Sequence, residues 1–79
     1  MKEIKIEWCE KFIKKTFEKY APHNIEVNCF WDMAEKSGLW TRGTYGSPMS
    51  KALSNLVDIG TRSDENGNFI YNYFFIKEV

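Results

Sequence analysis

Metal and redox chemistry find few residues to use in this chain, which holds a single histidine, His23, and two cysteines, Cys9 and Cys29. No cysteine or carboxylate cluster stands at ligand spacing around His23, so no metal site is expected. Neither sign of charge is in excess. Eleven basic residues balance eleven acidic ones, whereas many small nucleic-acid binders carry a basic surplus to hold phosphates. No run approaches the ~18 apolar residues of a membrane span. The opening MKEIKIEWCE has charges where a secretory leader has its apolar core. A cytoplasmic location with both cysteines reduced and in the core is the matching expectation. The sequence also contains no nucleophile elbow, no glycine-rich phosphate loop followed by lysine and no acid pair assignable to one cleft. Neither enzymatic activity nor a cofactor is expected.

Apolar material is plentiful: 43% of the residues are hydrophobic and 16% aromatic. Phe, Tyr and Trp each bury on the order of 150–250 Å², which lets a chain of 79 residues form one domain spanning positions 1–79. No linker, repeat or low-complexity segment divides it.

Ile6, Cys9, Phe12, Ile13, Phe17 and Tyr20 recur at spacings of three and four, with Lys11, Lys14, Lys15, Glu18 and Lys19 opposite. That is an amphipathic helix, which Trp8 widens and Pro22 ends. NIEVN, residues 24–28, predicts a brief strand with Ile25 and Val27 on one side. Asn28 reads as the N-cap of a second helix through Phe30, Met33 and Ala34, and Gly38 as its left-handed C-cap. After the loop LWTRGTYG, Ser47 and Pro48 open a third helix with Met49, Ala52, Leu53, Leu56 and Val57 inward. The last third changes period. IGTRS and FIYNYFFIKEV flank DENGN, and Asn66-Gly67 favours a tight turn with two positive φ angles.

The order α1-β1-α2-α3-β2-β3, an α+β arrangement of three helices and a C-terminal β-hairpin, resembles the winged helix-turn-helix proteins. The likeness covers nearly the whole chain and rests on element order and cap placement. It implies that residues 48–58 are a recognition helix, that DENGN is the tip of the wing, and that double-stranded DNA is the partner. A helix of this kind offers free N–H groups to phosphate and side chains to base edges. Arg42, Thr44, Tyr45, Ser47, Ser50, Lys51, Ser54 and Arg62 are the candidate contacts. Only Lys51 among the helix residues could make a strong contact with guanine acceptors. Residues 41–62 carry Arg42, Lys51 and Arg62 against Asp58, three minus one, or plus two. A regulator or an accessory replication or recombination factor fits this reading.

A protein-binding module on the same scaffold is the alternative, with Trp40, Tyr45, Asp64 and Glu65 as its contacts. Zero net charge and an acidic tip, which phosphate would repel, favour it. In its small size and its Asn, Lys and Phe content the chain resembles phage or mobile-element proteins that dock on host or defence proteins. Homodimerisation, through the last strand or through Trp8, fits either reading. Helix 1 lysines alternate with glutamates and read as a solvated face.

Overall fold

Helix α1, Ile6–Lys19, buries Cys9, Ile13 and Phe17 on the face its apolar repeat marks. Thr16 lies on the same face, which the apolar pattern alone did not include. Its hydroxyl donates to the Phe12 carbonyl at 2.7 Å and so enters the core satisfied. The computed structural model describes residues 3–19, 24–44 and 46–77; Tyr20, Pro22 and His23 lie outside them.

Strand β1, Asn24–Glu26, passes directly into α2, Val27–Ser37. The helix thus begins earlier than an Asn28 cap requires. The Glu26 carboxylate takes the cap role, accepting from the backbone N–H groups of Asn28 and Cys29 and from the Asn28 side-chain amide. A carboxylate suits the positive end of a helix, and it displaces the shorter Asn28 side chain into the first turn. Val27 is therefore helical rather than a strand partner of Ile25. Cys29 is exposed rather than in the core, on a shallow groove of about 430 Å³ that also includes Ile25, Asp32, Met33 and Lys36. Both thiols are free.

Gly38 closes α2 at φ 82°, its N–H donating to Glu35 at 3.1 Å, as the sequence predicted. Helix α3, Pro48–Leu56, starts on a Ser47 hydroxyl that accepts from the Ser50 N–H at 3.3 Å. It stops two residues short of the expected 58. Val57 is extended at φ −131°, ψ 156° and begins strand β2, Val57–Ser63, with no intervening turn. The reason lies in β3, Phe69–Ile76. Just past its end, the Lys77 N–H donates to the Leu56 carbonyl at 2.9 Å and the Lys77 ammonium to that of Ser54 at 2.7 Å, so the sheet takes over from the helix ladder.

The three strands form one antiparallel sheet in the order β1-β3-β2. Phe74 pairs with Ile25 on one side and Ile59 on the other. Strand alternation then puts Ile25, Val57, Ile59, Thr61, Asn72 and Phe74 on the inner face, and Asp58, Gly60, Arg62, Tyr71, Tyr73 and Phe75 on the outer one. The hairpin tip differs from the expected turn. The Gly67 N–H donates to the Asp64 carbonyl at 3.1 Å, so Glu65 and Asn66 are the central pair and Gly67, at φ 83°, takes the left-handed position. A register shift between Arg62 and Ser63 leaves one extra residue on β3 near Ile70.

Phe30, fully buried, joins the layers. Its ring lies 5.9 Å from Phe12 and 6.4 Å from Phe17 on α1, 5.5 Å from Phe74 on β3 and 5.7 Å from Trp31. The helices cover only one end of the sheet: Val57 and Phe74 are buried, whereas Ile59 and Phe69 are each 64% exposed. This overhang contributes to overall dimensions of 48 × 29 × 19 Å. Phe30→Ala is expected to cost about 3–5 kcal/mol, a large part of the ~5–15 kcal/mol typical of a domain. An unchanged urea midpoint would show that the ring does not hold the layers together.

Candidate binding interface

On α3 the buried stripe of Met49, Ala52 and Leu53 turns Lys51, Ser54 and Asn55 outward, with Ser50 half-buried. Ser47 is only 6% exposed, and its hydroxyl is occupied by the cap and by the Ser50 hydroxyl at 3.3 Å. Thr44 is exposed in the preceding loop, its N–H donating to the Thr41 carbonyl at 3.1 Å. Tyr45, a candidate for either kind of partner, lies outside the described residues.

Arg42 is already engaged. Its guanidinium reaches Asp32 at 2.7 Å and Glu35 at 3.3 Å, both on α2. Hydrogen bonding to Glu35, then the charges and bonds of the pair, raises its pKa further. It also sits over the Trp40 ring, 5.7 Å from its centroid. Trp40 in turn packs against Trp31, ring centroids 4.6 Å apart and tilted by 42°, and is half-buried against the core. Its indole N–H is buried with no hydrogen-bond partner among the described residues. Trp31 and Trp40 thus complete the core, and Arg42 closes the loop over them.

Arg62 stands on the outer face of the sheet, and so does Asp58. The three cations therefore do not add up to a basic patch: two α2 carboxylates compensate Arg42, and Asp58 shares the face of Arg62. The connection from α2 to α3, residues 38–47, is also far longer than the three or four residues of a compact helix-turn-helix. Helix α3 packs chiefly on α1, and α2 on β3. Compared with models of known protein families, with characterised proteins and with solved structures, the chain has no match.

Composition and spacing did not mark the overhang. Ile59 and Phe69 stand bare on the inner face, Ile70 is about half exposed in the bulge, and Ile76 is also exposed. FIYNYFFI is apolar on both faces, and a helical layer this small can cover only part of one. That mismatch was the available signal. On the outer face Tyr71, Tyr73 and Phe75 form a ladder with ring centroids 6.2 and 6.0 Å apart. Gly60, opposite Tyr73, makes this possible, since a β-carbon there would fall 2.5 Å from the ring.

Cys9 offers no chemistry. Burial, then the charge of Glu10, pushes its pKa up and keeps it a packing thiol. Among the described residues no three His, Cys, Asp or Glu side chains gather as a metal site, and no helix is long and apolar enough to cross a membrane.

Asp64 and Glu65 occupy the tip, but Asp64 is committed to the turn. Its carboxylate accepts from the Asn66 and Asn68 N–H groups, both at 2.9 Å, and from the Asn68 side chain at 3.2 Å. The Asn68 backbone bond is the largest cause of a pKa lowered from the ordinary 3.8. Its stabilisation is therefore present above 3.8 and lost as pH falls through the lower folded value. Asp64→Asn should flatten that acid limb in hairpin NMR shifts followed from pH 6 downward; an identical limb would show that another group controls it.

Proposed function

We propose that the chain is a protein-binding module on an α+β scaffold compatible with the winged helix, and that the β2–β3 hairpin is its contact surface. The observation that carries this reading is the overhang, where Ile59 and Phe69, each 64% exposed, stand on a ribbon the helices do not cover. Exposed apolar side chains grouped on one element mark interaction surfaces. Zero net charge and the internal compensation of Arg42 support it too. No catalytic role is proposed.

The test is a capture comparison from cell extract, with wild type against Ile59→Lys and Phe69→Ser. Proteins retained by wild type should be lost with both variants while the melting temperature holds. Equal retention by all three would overturn the hairpin assignment.

DNA binding through α3 is the second reading, favoured by Lys51, Ser54 and Asn55 facing outward beside a capped helix N-terminus. If it holds, fluorescence anisotropy with random duplex at about 50 mM and about 200 mM salt should reveal a steep salt slope. Lys51→Glu should then abolish binding, whereas Arg42→Gln should change it little, because Arg42 is already paired. No binding at the lower salt would remove this reading.

A further inference from the structure

We infer that the free edge of β2 pairs with the same strand of a second copy, antiparallel about a two-fold axis at Gly60. This rests on reading the hairpin as a protein-contact surface and names its occupant. β2 is an outer strand of the order β1-β3-β2. The bonds from Lys77 N to Leu56 O and from Asp64 N to Asn68 O, both 2.9 Å, fall at the two ends of the hairpin ladder. They put the even-numbered residues of β2 in hydrogen-bonded pairs with β3, so the N–H and C=O groups of Ile59, Thr61 and Ser63 point away from the sheet. Such an edge is a template for another strand.

Charge selects the partner and the register. About a dyad at Gly60, Asp58 of each copy stands opposite Arg62 of the other, twice, on the outer face. These would be the pairs without direct backbone bonds, whose Cα atoms lie about 4.5 Å apart and whose side chains come closest. Neither Asp58 nor Arg62 has an ion-pair partner among the described residues. Ile59 would face Thr61, both with outward backbone groups, completing the ladder. The neighbouring registers are worse. Centring on Ile59 puts Asp58 opposite Gly60 and makes no ion pair; centring on Thr61 puts Asp58 opposite Asp64, a like-charge pair.

Gly60 at the dyad brings no side chain to the junction, and the Tyr73 ring already lies across it, its hydroxyl 2.6 Å from where a β-carbon would sit. The register also places each bare hairpin tip beside the helical end of its partner, because Asp64 would stand opposite Leu56. Ile59 and Phe69 then gain the cover that their own helices do not give. With seven residues a side the interface is small, so a dissociation constant on the order of 10 µM or weaker is expected.

Sedimentation equilibrium of the whole chain up to about 500 µM, with wild type, Asp58→Arg, Arg62→Asp and the double exchange, tests this. Amide NMR spectra verify that each variant is folded. Wild type should dimerise, each single exchange should weaken association at least tenfold by setting like charges opposite, and the double exchange should restore it. A dimer indifferent to the single exchanges would overturn the register and the β2 edge together. A wild type monomeric throughout would overturn the second copy as occupant. That result leaves the hairpin reading to the capture comparison, in which a foreign protein lost with Ile59→Lys keeps it and equal retention ends it.

Discussion

Phe30 decides which elements can touch. Because its ring fills the space between Phe12, Phe17 and Phe74, α2 is held between α1 and the sheet rather than against α3. Trp31, the next residue, then reaches outward to pack against Trp40, which anchors the loop that follows α2. Helix α3 is left to pack on α1 through its own buried stripe. A single buried aromatic hub thus sets the long α2–α3 connection, and with it the separation of two helices that a compact helix-turn-helix would press together.

Much of this was legible in the sequence where one local interaction dominates. The apolar repeat of α1, the Gly38 C-cap and the Ser47-Pro48 start are all present, since each depends on neighbours three or four residues away. The departures arise where side chains or a neighbouring strand compete for the backbone groups at the end of an element. Glu26 caps the helix ahead of Asn28 because its charged, longer carboxylate reaches the N–H groups of Asn28 and Cys29. Val57 left the helix because Lys77, distant in sequence, occupies the last carbonyls. Gly67, not the Asn66-Gly67 pair, sets the turn because Asp64 collects the N–H groups around it.

The candidate contacts were less legible than the fold, and for a physical reason. A count of charges along the chain cannot show which are spoken for. Arg42 contributes to the local excess in sequence yet is cancelled in space by residues 7 and 10 positions away, and the Ser47 hydroxyl is consumed by its own helix. The large apolar residues divide in the same way. Trp31 and Trp40 became packing, whereas Ile59 and Phe69 were left outside by a sheet longer than the helices that cover it.

The loopless junction at Leu56–Val57 has a mechanical consequence. With no flexible residue between them, α3 and β2 form one continuous lever, and the Lys77 bonds to Leu56 and Ser54 brace its elbow. A torque applied at the hairpin tip would be transmitted to α3 rather than absorbed in a hinge. The tip and the exposed side of α3 therefore behave as two ends of one stiff body: whatever grips one end fixes the angle at which the other is presented.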